Sequence, residues 1–122
     1  MVIQRTLLSG KIHRVTITDA DLDYNGSITI DTDLLHAAGI LPHERVLVAN
    51  VTNGNRLETY ALAGAAGSGI CQINGAGAHQ FQRGDLAIVM AFVQADAETP
   101  DLDRWAPRVV LVDKDNRVAK IV

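Results

Sequence analysis

Three Asn-Gly pairs, at 25–26, 53–54 and 74–75, divide the chain into short stretches where apolar and polar residues alternate. Asn-Gly tolerates the positive φ angles of a type I′ turn, and a period of two belongs to strands with one buried face. "KIHRVTITDADL" alternates up to the first pair and "SITID" continues beyond it, so "YNGS" at 24–27 is expected to be a hairpin turn. "RVLVANVT" and "RLETYALA" flank the second pair, and "GICQIN" leads into the third. "DLAIVMAFV" and "RVVLVDKDNRVAKIV" complete six or seven strands, the pattern of a mainly β barrel or sandwich. One helix is expected in "DTDLLHAAGI", capped by Asp31 or Thr32 and ended by Gly39 in the left-handed conformation, with a second short turn over "GAGAHQF". "ADAETPDLD" reads as an exposed loop. A length of 122 residues without linker or repeat predicts a single domain, residues 1–122.

Charge and cysteine content narrow the function. The formal net charge is −3 with no block of like charges, so neither nucleic acid nor an anionic membrane is an expected partner. Small anionic substrates remain open. The longest apolar run, "LAIVMAFV" at 86–93, is far short of the roughly 18 residues of a membrane span. The start, "MVIQRTLLSGKIHRV", lacks a signal-peptide core, which together with the lone Cys71 predicts a reducing, cytoplasmic setting. One cysteine forms no internal disulfide and no thiolate cluster. The four histidines have no paired spacing, so no metal site is expected. "GAAGSG" at 64–69 lacks the Lys-Ser/Thr ending of a phosphate loop and reads as turns, and no GxSxG elbow supports a hydrolase triad.

Several polar residues remain. Lys11 and His13 are two apart on a strand and share a face, while Arg56, Thr59 and Tyr60 follow the second Asn-Gly pair. Singly, each reads as a solvated charge or a polar strand residue. "NGAGAH" offers backbone N–H groups without bulky side chains, which suits close approach of a small ligand. Ser27 is ordinarily a turn-flanking hydroxyl. Its place after Gly26 allows another chemistry, in which the hydroxyl attacks the glycine carbonyl and shifts the acyl group from nitrogen to oxygen. Such a step needs a donor for the developing oxyanion. β-Elimination of the ester, then hydrolysis, leaves a pyruvoyl group, an electron sink that takes an amine substrate as a Schiff base.

"GKIHRVTITDADLDYNGSITID", "AAGILPHERV", "NVTNGNRLETY", "INGAGAH" and "GDLAIVMAF" together resemble the bacterial pyruvoyl-dependent aspartate 1-decarboxylases, in order from about residue 1 to residue 95. The resemblance implies a small double-psi β-barrel and a homotetramer with active sites at subunit interfaces. It also implies a carboxy-lyase that makes β-alanine from L-aspartate for pantothenate and coenzyme A synthesis. Cleavage between Gly26 and Ser27, with or without a maturation factor, would give a β chain of residues 1–26 and an α chain of residues 27–122. By the same resemblance Ser27 becomes the covalent pyruvoyl cofactor and Tyr60 reprotonates the substrate carbon. Thr59 assists processing and contacts substrate, and Arg56 and Lys11 hold its carboxylates. Gly75, Ala76 and Gly77 line the substrate, Asn74 and Tyr24 shape the pocket, and His13 lies near it. The chain departs from the family at Ala49, where some relatives carry tryptophan, and at Gly77, where alanine is common. Two other classes compete: a small-molecule hydrolase using Tyr60 and His13, and a non-catalytic barrel binding an acidic ligand through Lys11 and Arg56.

Overall fold

The computed structural model describes residues 1–122. In chain order the elements are β1 (Gln4–Thr16), β2 (Asp19–Asp21), β3 (Ser27–Asp31), α1 (Thr32–Ala38), β4 (Arg45–Asn50), β5 (Arg56–Gly64) and β6 (Cys71–Asn74). A 3-10 turn over Gly75–His79, β7 (Leu86–Asp96), a second 3-10 turn at Leu102–Arg104, β8 (Arg108–Val112) and β9 (Val118–Ile121) complete it. The strands hydrogen-bond in the order β2-β6-β3-β5-β4-β7-β1-β8-β9. Three of the pairs, β1 with β8, β2 with β6 and β3 with β5, are parallel. Parallel partners cannot be joined by tight hairpins, so the connections cross over the ends of the sheet. The result is a small, mainly β, barrel-like domain, in keeping with the double-psi expectation. No helix is long and apolar enough to cross a membrane.

The core follows from strand alternation. Ile12, Val15, Ile28, Ile30, Val46, Val48, Ile73, Val89 and Val110 are all buried and project from different strands into one cluster, joined by Ile17 just after β1. These branched side chains suit a pleated, half-buried surface. Helix α1 closes one side of the cluster with Leu34, Leu35 and Ala38. Asp31 caps it by accepting from the Asp33 N–H, and Gly39 ends it at φ 70°. Both caps are as the residue pattern predicts.

The first Asn-Gly pair is not a hairpin turn, although the second is. β4 and β5 pair antiparallel around Asn53-Gly54, where Gly54 has φ 81°. β2 and β3, which flank Asn25-Gly26, do not pair with each other, because β6 is inserted between them. Neither Asn25 nor Gly26 has a positive φ. The local turn preference lost to a long-range pairing. β6 offers apolar residues to the core and satisfies the backbone of β2 and β3 at once.

The glycine-rich stretch at 64–69 does hold an anion, and the anion is the chain's own. Asp31, 1% exposed, accepts from the N–H groups of Asp33 (2.8 Å), Gly67 (3.0 Å) and Gly69 (2.8 Å). Arg117 stands 3.7 Å from its second oxygen and also donates to the Gly67 carbonyl. Buried Asn116 completes the staple, bonding the Thr16 and Gly69 carbonyls at 2.8 Å each. Burial alone would raise the Asp31 pKa, but the N–H groups of Gly69, Asp33 and Gly67, with Arg117, outweigh it and hold the carboxyl below its ordinary value. The native state therefore binds the proton less well than the unfolded chain. The stabilisation is complete above the ordinary carboxylate value, near pH 4, and is lost as pH falls through the depressed native one. Asp31→Ala is expected to cost about 3 kcal/mol of unfolding free energy at neutral pH, because three backbone donors, that of Gly69 fully buried, lose a charged acceptor. It should also flatten the acid limb of stability, and urea titrations at neutral and acid pH measure both effects.

Candidate active site

Where β3 begins, β6 ends and β5 passes, the surface opens into a cleft of about 440 Å³. Gly26, Ser27, Thr59, Tyr60, Asn74, Ala76 and Gly77 all line it, joined by Leu57, Glu58, Ile73 and Gln80. Strand register explains why residues so distant in sequence meet. Ser27 lies opposite Asn74 in the antiparallel β3–β6 pair. The parallel β3–β5 pair, with Ile28 beside Ala61, puts Ser27 and Tyr60 next to one another one step back.

Ser27 is 1% exposed although Gly26 before it is exposed. Its hydroxyl donates to the Asn25 carbonyl (3.2 Å) and accepts from Asn74 Nδ2 (3.1 Å). Asn74, 2% exposed, also donates to Thr29 Oγ1 (3.2 Å) and accepts from Gln72 Nε2 (2.8 Å). These bonds satisfy the buried carboxamide and fix which end of it faces the serine.

Gly75 takes φ 73° and lies directly beneath Gly26. A Cβ there would stand 2.7 Å from Gly26 Cα, 2.8 Å from Gly26 N and 3.0 Å from the Tyr24 carbonyl. Only glycine combines that backbone conformation with so close an approach. Gly75→Ala is therefore expected to displace the Gly26-Ser27 segment and slow any reaction there about tenfold or more, since a small misplacement of reacting atoms carries that cost. Timed denaturing mass spectrometry of freshly made chain measures it. At Gly77 an added methyl would meet Leu57 Cδ2 at 2.8 Å and Ile73 Cγ2 at 3.1 Å, so the glycine here goes with the bulk of Leu57.

Tyr60 stacks on His43, with ring centroids 6.2 Å apart and planes at 21°. His43 sits in the turn before β4 at φ 70°, its N–H bonded to the Ala61 carbonyl (2.7 Å). The contact orients the phenol ring. Alternation along a strand gives no hint of it, because His43 and Tyr60 meet through the β4–β5 pairing.

The other expected residues stand apart in a single chain. Arg56 is exposed at the first position of β5, next to cleft residue Leu57. Tyr24 is exposed, contributing its backbone carbonyl above Gly75. Lys11 and His13 belong to β1, three strands from β5 in the sheet order. His13 Nδ1 is buried without a hydrogen-bond partner. Desolvation, then the charges of Lys11 and Arg14, lower the His13 pKa and favour the neutral ring. The cleft itself contains no Lys or Arg, and its one carboxylate, Glu58, pairs with Arg45 at 3.0 Å. Cys71 is buried and its thiol is pushed up to about 12 by desolvation, so it is no nucleophile at neutral pH.

Residues 3–119 match the family model described as aspartate decarboxylase. The aspartate 1-decarboxylase of Myxococcus xanthus (strain DK1622) is 57% identical over 116 residues, 95% of this chain and 88% of that protein. The aspartate 1-decarboxylase of Neisseria meningitidis serogroup C is 51% identical over 118 residues, 97% of this chain and 91% of that protein. With a match across nearly its whole length, the chain belongs to the aspartate decarboxylase family.

Proposed function

We propose that this chain decarboxylates L-aspartate to β-alanine and CO2, using a pyruvoyl group that it makes from its own Ser27. The observation that carries the reading is a buried serine directly after an exposed glycine, its hydroxyl held by Asn74 in a cleft shared with Tyr60.

Self-cleavage balances without an external reagent other than water. Ser27 Oγ attacks the Gly26 carbonyl carbon, and the amide nitrogen leaves with the hydroxyl proton, giving an ester. Loss of the residue 27 Cα proton then expels Oγ with its bonding pair as part of the Gly26 carboxylate. Water hydrolyses the remaining enamine with release of ammonia. Residues 1–26 and 27–122 result.

The donor set fits the steps that make the group. Oγ becomes the ester oxygen and then leaves within a carboxylate, both of which only accept, and the Asn74 carboxamide presents its N–H end to it. A pyruvoyl group at this position supplies an electron sink for an amine substrate, so that the bond from Cα to its carboxylate can break. Tyr60 would hold the proton that Cα takes up after CO2 leaves, with the His43 stack keeping its ring in place. The backbone N–H groups of Ala76 and Gly77 can approach a second carboxylate closely because their side chains are small. Thr59 offers a hydroxyl on the same wall.

A dianionic substrate also needs cations, and Arg56 at the rim provides a two-pronged one. Lys11 would reach the cleft from a second copy in a homotetramer, which the three-strand separation within one chain favours. The reading places the enzyme in the cytoplasm, with β-alanine passing to pantothenate and coenzyme A synthesis. Release of β-alanine from L-aspartate by the purified protein tests the activity. Turnover that spares L-aspartate or yields another product would sink it.

A further inference from the structure

The outer face of β3 and β6 carries four polar side chains in register, Ser27 opposite Asn74 and Thr29 opposite Gln72. Ile28, Ile30, Cys71 and Ile73 fill the core on the other face. Three hydrogen bonds run in one direction along the polar face. Gln72 Nε2 donates to Asn74 Oδ1 (2.8 Å), Asn74 Nδ2 donates to Ser27 Oγ (3.1 Å), and Ser27 Oγ donates to the Asn25 carbonyl (3.2 Å). Because the serine proton is committed to Asn25, only lone pairs face Asn74, and a carbonyl there would be repelled. A carboxamide can present either end with almost the same shape. Its far end therefore needs a donor, and Gln72 supplies it.

We propose that Gln72 is a positioning residue for cleavage at Gly26-Ser27: it holds the Asn74 carboxamide with its N–H end on Ser27 Oγ. The inference rests on the self-cleavage reading given above. Its chemical consequence lies in the elimination step, where the Cβ–Oγ bond breaks and the electron pair stays on Oγ as the Gly26 carboxylate departs. An N–H at Oγ stabilises that charge, whereas a carbonyl oxygen opposes it.

Four variants made by cell-free translation beside the wild type test this, with fragment formation followed by denaturing mass spectrometry. Gln72→Glu keeps the reach but only accepts at neutral pH, so it draws the Asn74 N–H end to itself and turns the carbonyl onto Oγ. Gln72→Leu removes the partner without pulling the amide round. Glu is expected to slow cleavage about tenfold or more, and Leu by less, since one hydrogen bond to a charged group is at stake. Asn74→Ala alone should be slow, and adding Gln72→Glu to it should change nothing further. A merely structural Gln72 makes Leu at least as harmful as Glu, and leaves the Glu effect intact in the Asn74→Ala background. Either result overturns the assignment, as does a Glu variant that cleaves at the wild-type rate. If the Glu variant does not fold, Gln72→Lys decides: a donor at this position should cleave within about threefold of wild type, and a tenfold slowing refutes the role. Wild-type chain that never cleaves overturns the self-cleavage reading together with this one, whereas wild-type cleavage with an indifferent Glu variant overturns Gln72 alone.

Discussion

Ser27→Ala is expected to leave a single uncut chain that releases no β-alanine from L-aspartate. The loss is chemical, not structural. Ser27 is 1% exposed, so alanine occupies the same buried place and removes one oxygen. Asn74 keeps its bond to Thr29 Oγ1 at 3.2 Å and its bond from Gln72 at 2.8 Å, so no buried donor is fully orphaned. The stability cost should stay near 1 kcal/mol, the net worth of an ordinary hydrogen bond. What disappears is the hydroxyl of the residue bonded to the Gly26 carbonyl, and with it the precursor of the ketone. Intact-mass measurement and thermal unfolding of the variant check the two halves of the prediction. A cut Ser27→Ala chain, or an uncut one that is active, contradicts the proposed origin of the cofactor.

Tyr60→Phe separates the two chemistries that share the cleft. The phenyl ring can keep its stack on His43 at 6.2 Å, so the wall of the cleft and the Ser27–Asn74 bond on the facing strands stay in place. Cleavage at Gly26-Ser27 should therefore go to completion. The phenol proton is missing, and β-alanine formation is expected to fall by about 10²-fold or more, the usual contribution of a positioned general acid. Fragment analysis and product assay on one preparation measure both. Normal β-alanine output from the cut variant would remove Tyr60 from the proton-donor role.

Strands, helix and loops were legible because each is written locally. Alternating Ile or Val mark the core face of β3 and β4, Ala87, Val89 and Ala91 mark that of β7, and Asp31 and Gly39 mark the ends of α1. The hairpin expected at Asn25-Gly26 was the main local error. Its turn residues are ordinary for a hairpin, but β6 intervenes, and insertion of a distant strand leaves no trace in a four-residue window. The same non-local pairing hid the roles of Gln72, Asn116 and His43. His43 acts on Tyr60, Asn116 acts on Thr16 at a separation of 100, and Gln72, though it bonds Asn74 on its own strand, acts through it on Ser27 across the β3–β6 pairing. Ser27, Tyr60 and Asn74 came forward because a glycine–serine step has its own chemistry and the surrounding motifs resemble one family. Lys11 and His13 were grouped with them by the same resemblance. One chain holds them on β1, away from the cleft, which is the arrangement expected if a neighbouring copy completes the site.

The most direct test of the account is the denatured mass of the purified wild-type protein. Two species are expected, residues 1–26 ending at Gly26 and residues 27–122, the larger blocked to Edman degradation because its first residue carries a ketone in place of an amine. A chain that remains whole, yet converts L-aspartate to β-alanine, would contradict it.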